Sequence, residues 1–412
     1  MLIWISLIYT VYALVRFYTC VMEIGFVLKA KRTQPVILSA SNFIKAGNYK
    51  IATSKMELLQ ILYDLLIFFW WFDFGLNFLD RAIVIDGEIL KAVVFVDAFI
   101  AINYVLGLPF DLYKTFSLDK KFGFSNMNFK MYLMDQIKTS VLFLIFGSLV
   151  IALLSWIILV LPNWWIWGFG AAFLIILFIN MVYPTWIAPL FNKFTPLQDE
   201  DLKNAIEALL QKAGLKSSGV FSLDASKRDN RLNAYFGGLG KSKRVVLFDT
   251  LIAKLEKREL LAVLGHELGH FKHKDIIKNI FSSGLLLFIM FAIFGNLPSD
   301  IFLQFGVGNG SYMTLVFFLL FSPVLSFLFI PFFSFLSRKN EYAADTYGSE
   351  CESREALASA LMKLADANKS FPYSHPLTIA LYFTHPPLVA RLKHLGVDVC
   401  EDKRFRQEHC FE

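Results

Sequence analysis

Two histidines four residues apart, His266 and His270, bracket a glutamate in the stretch Gly265-His266-Glu267-Leu268-Gly269-His270. On a helix this spacing sets both imidazoles on one face, one turn apart, where each ring nitrogen reaches a single Zn²⁺ at about 2 Å. Glu267 then stands beside the open position of such a metal, where a carboxylate takes a proton from the attacking water. Histidine is scarce, 7 in 412 residues, so a chance match on an ordinary buried helix is the weaker reading. The lead-in from Leu255 to Leu264 carries no proline and reads as the same amphipathic helix.

A catalytic zinc needs a third protein ligand. His273 continues the face, but its Cα lies about 7–8 Å along the axis from a metal held by the first two, so it reads as a surface histidine. Glu341, in Glu341-Tyr342-Ala343-Ala344-Asp345, is the best placed candidate and completes a His₂Glu set with one open position. Asp345, one turn on, either accepts the free N–H of a ligand histidine or is a plain surface acid. His385, ahead of Pro386 and Pro387 with Arg391 close behind, is an imidazole held stiffly at a helix start. It is read as a donor to the oxyanion of a tetrahedral intermediate or as a simple helix-entry turn.

The elements that must position these groups are mostly apolar. Of the residues 56% are hydrophobic and 18% charged, with 44 Phe, which points to a polytopic membrane protein with the lipid bilayer as its partner. The net charge of +6 sits in loops between apolar runs, and no nucleic-acid partner is needed to explain it. Apolar segments near 1–28, 57–79, 89–110, 139–161, 164–188, 276–297 and 312–336 make seven spans of about 20 residues or more. The first lacks a basic lead and a small-residue cleavage site, so a retained span is expected rather than a signal peptide. Lys29, Lys31, Arg32, Lys45, Lys50 and Lys55 lie between spans one and two, and Lys114, Lys120, Lys121, Lys130 and Lys138 between three and four. This bias places those loops, the soluble segment 189–275 and the tail 337–412 on the cytoplasmic side.

The chain therefore divides into spans one to five (1–188), a soluble segment with the metal-binding helix (189–275), spans six and seven (276–336) and a C-terminal part (337–412). His270 lies just before span six, and Glu341 just after span seven. Both fall within roughly 10–15 Å of one bilayer face, near enough for the two helix ends to share a metal. Within 189–275, Asp199 opens a helix that runs to Ala213, and strands are expected at 220–224, 232–236 and 244–248, enough for a small mixed sheet. Arg16, Glu23, Asp64 and Asp97 sit in apolar runs, where they either pair between helices or face a water-filled interior. Cys20, Cys351, Cys400 and Cys410 form no C-x-x-C pair and no disulfide framework, and Cys410-Phe411-Glu412 is not a prenylation box.

Taken together, His266 to His270, Glu341 with Asp345, His385-Pro386-Pro387 with Arg391, Asn233-Ala234-Tyr235 and the seven spans resemble the type I CAAX prenyl proteases. These are the a-factor-converting zinc metallopeptidases of membranes. The resemblance covers the whole chain and implies a mainly α fold in which seven transmembrane helices enclose a chamber, closed by a gluzincin-like protease domain with a small sheet. It implies one zinc per chain on His266, His270 and Glu341, and Glu267 as general base. It also places His385 and Arg391 at the active site and uses Asn233, Ala234 and Tyr235 to hold an extended substrate by edge pairing. The substrate would be a peptide or protein prenylated at a C-terminal Cys-a-a-X box, cut after the cysteine, with a second cut upstream. The chain is shorter than eukaryotic members tend to be and shows no obvious retention signal, which is compatible with a bacterial homologue; the membrane is then a bacterial inner membrane or the endoplasmic reticulum membrane. Two other functions compete: a quality-control protease like the shorter HtpX-type enzymes, and a non-catalytic transporter or channel. Transporters usually show repeats and broken spans, and none is visible here.

Overall fold

A computed structural model describes residues 2–215, 218–237, 244–298, 300–303, 308 and 310–399. Cys400 and Cys410 lie outside the described residues. Among the described residues seven helices are long and apolar enough to cross a membrane: α1 (Ile3–Ala30), α2 (Ala40–Ala82), α3 (Glu88–Lys121), α4 (Phe129–Val160), α5 (Trp164–Leu190), α8 (Asp275–Gly295) and α9 (Ser311–Cys351). Between α5 and α8 come β1 (Phe194–Pro196), α6 (Glu200–Lys212), β2 (Val220–Leu223), β3 (Ala234–Gly237), β4 (Arg244–Phe248) and α7 (Lys257–Lys272). After α9 follow α10 (Arg354–Ala367), α11 (Pro376–Tyr382) and α12 (Leu388–His394).

The spans form because every backbone polar group in hydrocarbon must be satisfied inside its own segment. Their outward faces carry Leu66, Leu174, Leu328 and many other exposed apolar side chains, the surface lipid would cover. Several helices run past the apolar stretches into water. The largest difference from expectation is α9, which continues without a break through span seven and on past Glu341 and Asp345. At 1.5 Å per residue it is about 60 Å long, and one continuous helix, with Pro323 and Pro331 inside it, thus carries both the span and the metal-side residues.

The aromatic core of the bundle packs Phe68, Trp71, Phe95, Phe99, Phe294 and Phe317 together. It surrounds the start of α9, about 40 Å along that helix from Glu341. A second core joins α6, the sheet, α7 and α10 through Ile206, Val245, Leu247, Leu264, Leu268 and Ala360.

The sheet has four strands in the order β1-β2-β4-β3. β2 runs parallel to β4, with Val220 opposite Val245, while β3 runs antiparallel to β4, with Ala234 opposite Leu247. β1 was not expected from the sequence. Its three residues, Phe-Thr-Pro, are too short to show an alternation of their own and pair only by meeting β2. β3 is an edge strand.

The charges within spans largely pair. Glu23 is buried and accepts hydrogen bonds from Ser374 Oγ (2.7 Å) and the His375 backbone N–H (2.8 Å), fastening α1 to the tail. Arg16 approaches Glu57 at 3.7 Å, and Ser148 donates to Asp97 at 2.7 Å. Asp64 is half-buried, and the charge of Arg16 acts on it.

Candidate active site

α7 begins with a reciprocal cap between Glu256 and Glu259. Glu259 is itself buried and accepts hydrogen bonds from Ser359 (2.6 Å) and Lys363 (2.7 Å), which fixes α7 against α10. The helix ends at His273, and Lys274 in the left-handed region (φ +58°) turns the chain into α8. His266 and His270 therefore sit on the last two turns of a helix anchored at both ends.

What carries Glu341 to them is a close crossing of α7 and α9. A Cβ built on Gly265 would meet Cys351 Cβ at 2.8 Å, one on Gly269 would meet Ala344 Cα at 2.8 Å, and one on Gly348 would meet the His266 backbone N at 2.8 Å. Gly265 and Gly269 lie four apart on one helix, and Ala344 and Gly348 four apart on the other. Small residues at that spacing let two backbones touch. Gly348→Val is expected to destabilise the fold by about 2–3 kcal/mol and to lower zinc retention, because neither backbone can withdraw without moving a ligand. Gly170→Ala, where a Cβ meets nothing within 4 Å, is expected to change neither. Thermal unfolding and zinc content of the purified variants in detergent measure both effects.

At the crossing, one ligand atom each from His266, His270 and Glu341 lie within 4.8 Å of one another. Glu341 Oε2 is 3.5 Å from His266 Nε2, and Glu341 Oε1 is 3.3 Å from His270 Nε2. The surroundings orient these atoms as metal donors. His266 donates Nδ1–H to Asp345 Oδ1 at 2.8 Å, and His270 donates Nδ1–H to Asp275 Oδ2 at 3.0 Å. Both Nε2 lone pairs then point at the same place, the usual arrangement around a zinc-binding imidazole. Glu341 is 3% exposed, yet its Oε2 has no hydrogen-bond partner. A buried carboxylate oxygen left in this state fits a cation and little else. The donor set suits one Zn²⁺.

Arg391 braces the cluster from α12. Its Nε and Nη2 donate to Asp345 at 2.8 and 2.6 Å, and its Nη1 is 3.8 Å from Glu341 Oε2. Burial pushes the Glu267 carboxyl above its usual range; His266 and His270 pull the other way, and Glu341 adds to the rise. His385 lies at the mouth of the site, 63% exposed at the side chain, with Nε2 3.3 Å from Glu341 Oε1. Arg338 on α9, buried, donates to the carbonyls of Ile379 (2.9 Å) and Phe383 (2.7 Å) and so holds the turn that presents His385. His273 stays out of the cluster, half-buried beside Tyr347.

Asn233 sits just ahead of β3, its backbone carbonyl accepting from Phe248 N–H (3.1 Å) and its side chain exposed. Ala234 and Tyr235 begin the strand itself. Sequence reasoning missed Asp275, Arg338 and the crossing glycines. Asp275 reads as an ordinary acid at a helix start; its signal is that it follows the second zinc histidine by five residues, across a turn.

Comparison with known proteins agrees with this geometry. A family model described as peptidase family M48 matches residues 196–397, and one for the CAAX prenyl protease N-terminal region, five membrane helices, matches 27–193. The CAAX prenyl protease 1 homolog of Dictyostelium discoideum is 32% identical over 389 residues, covering 90% of this chain and 89% of the relative. This chain belongs to the CAAX prenyl protease family. The CAAX prenyl protease 1 of Saccharomyces cerevisiae is 30% identical, with 92% and 91% coverage. The crystal structure of S. mikatae Ste24p superposes with a TM-score of 0.88 at 27% identity, covering 95% of this chain and 98% of that one. The CAAX prenyl protease family thus supplies the reaction class: this is a zinc-dependent membrane endopeptidase, and the transporter reading falls away. These relatives are eukaryotic and give the bacterial expectation no example.

Proposed function

We propose that this protease cuts after the cysteine of prenylated C-terminal Cys-a-a-X sequences, releasing a tripeptide, with a second cut farther upstream. The observation that carries this reading is the place of the site. His270 is five residues from the start of α8, and Glu341 lies on α9, so the metal ligands meet beside the ends of two helices of membrane-crossing length, within reach of a lipid-bearing chain end. Zinc, when bound, supplies a Lewis acid that polarises the scissile carbonyl. Glu267 takes the proton of the attacking water and passes it to the departing amine. The carboxyl raised by burial is suited to both halves of that exchange. His385, exposed at the mouth, donates to the developing oxyanion, and Arg391 keeps Asp345 and Glu341 in place. The outer edge of β3 pairs with the substrate backbone, the side chain of Asn233 standing at its start.

In this reading, residues 189–275 and 337–412 form the two parts of one protease domain. They face the cytoplasm, as the lysine-rich loops direct, beneath spans that enclose a chamber; the eukaryotic relatives favour the endoplasmic reticulum membrane. The deciding experiment compares a farnesylated Cys-a-a-X peptide with its unmodified twin on purified protein. Cleavage after the cysteine, with the farnesylated peptide favoured about tenfold or more in kcat/KM, is the expected result. Equal turnover of the two peptides would turn the assignment toward a quality-control protease.

A further inference from the structure

Beside the metal ligands a cavity of about 610 Å³ opens against α2, the loop after α10 and the Thr384–Leu388 turn. His385 and Arg391 line it, so it adjoins the reaction centre. Three cationic side chains, Lys50, Lys369 and Arg391, also belong to its wall, and no carboxylate does. Two of the three are already engaged. Arg391 grips Asp345 through two hydrogen bonds, and Lys50 Nζ is 3.5 Å from the buried Glu23.

Lys369 has no carboxylate within ion-pair distance among the described residues. Its ammonium rests 4.3 Å from the centre of the Phe124 ring, which Arg231 also covers at 4.1 Å. Burial pushes the Lys369 ammonium below its usual range, with Lys45 and Arg231 adding repulsion and only Asp366 opposing. Its backbone is in the left-handed region at φ +46°, a conformation that costs a lysine about 1 kcal/mol and that glycine or asparagine would adopt more easily. A half-buried cation held this way lacks an anion.

Chain direction says where such an anion would come from. A strand laid antiparallel on the free edge of β3 runs with its C-terminal end toward Asn233. There Asn368 clamps the chain, accepting from Leu232 N–H at 2.8 Å and donating to Leu232 O at 3.2 Å. Asn368 adjoins Lys369, and both line the cavity. Three extended residues beyond a scissile bond reach about 10 Å, a length a cavity of this size accommodates.

We propose that the cavity receives the departing tripeptide and that Lys369 binds its terminal carboxylate. This inference rests on the Cys-a-a-X reading above and adds the group that measures the distance from cleavage site to chain end. One carboxylate at a fixed three residues past the cut would make the enzyme count from the terminus, which side-chain pockets alone do not do.

The test uses the full-length zinc enzyme and two farnesylated Cys-a-a-X peptides, one ending in the free acid and one in the carboxamide. Wild type is expected to favour the acid about tenfold in kcat/KM, the size of one charge-assisted hydrogen bond. Lys369→Met should lower kcat/KM for the acid by that factor and leave the amide unchanged, the amide rate doubling as a check that the variant is folded. Lys369→Arg should keep most of the preference. Equal wild-type rates on acid and amide, or a Lys369→Met loss of the same size on both, would overturn the proposal. If wild type cut neither peptide, the substrate reading itself would fall and this inference with it.

Discussion

Replacing Glu267 by glutamine is expected to lower kcat about 10³-fold and to leave one zinc bound per chain. The amide keeps the size of the side chain and adds donors, but it cannot accept the proton of the attacking water. Glu267 lies outside the set of atoms that converge as metal ligands, so the cluster of His266, His270 and Glu341 is left whole. Its surroundings are also matched to proton exchange, because burial lifts the carboxyl even against two opposing imidazoles. Steady-state hydrolysis beside zinc content by atomic emission checks both halves of the claim. A variant that kept wild-type kcat would remove Glu267 from the chemistry, and one that lost its zinc would make it a structural residue.

Glu341→Ala should do the reverse, losing metal and activity together. Glu341 is the only member of the ligand cluster that comes from α9, and it is almost wholly buried. Its removal leaves two ligands on α7. It also deprives His385 Nε2 and Arg391 Nη1 of the carboxylate that each approaches, at 3.3 and 3.8 Å. Zinc content should fall from about one per chain to about a tenth or less after dialysis, with hydrolysis at background. Unchanged zinc stoichiometry would take Glu341 out of the site. Set side by side, the two variants separate a residue that moves protons from one that holds the metal, since only the first retains zinc.

Much of the fold is written locally. The seven apolar runs, the spacing of His266, Glu267 and His270, and the strand Arg244–Phe248 are each visible in a window of one or two dozen residues, because hydropathy and helical or strand period are properties of neighbours in the chain. Boundaries fared less well. In sequence, span seven ends where its hydropathy ends, yet α9 runs on past Glu341, since helical hydrogen bonding does not stop when side chains turn polar. β1 was illegible for the opposite reason: three residues carry no period, and only contact with β2 makes them a strand.

By itself, then, the sequence determined a membrane-spanning mainly α chain with a histidine pair on one helix and a carboxylate pair on another. Tertiary structure decided which partners met. Asp345 stood open between a surface acid and a histidine's partner, and the fold brings it 2.8 Å from His266 Nδ1 while Asp275, which nothing in the sequence singled out, takes the same position for His270 at 3.0 Å. Both pairings depend on how closely α7 and α9 approach and on how the chain turns at Lys274. The approach is set by glycines 265, 269 and 348, whose missing side chains leave no trace in hydropathy or periodicity. A helix period fixes which residues share a face; only the packing of one helix on another fixes what that face will touch.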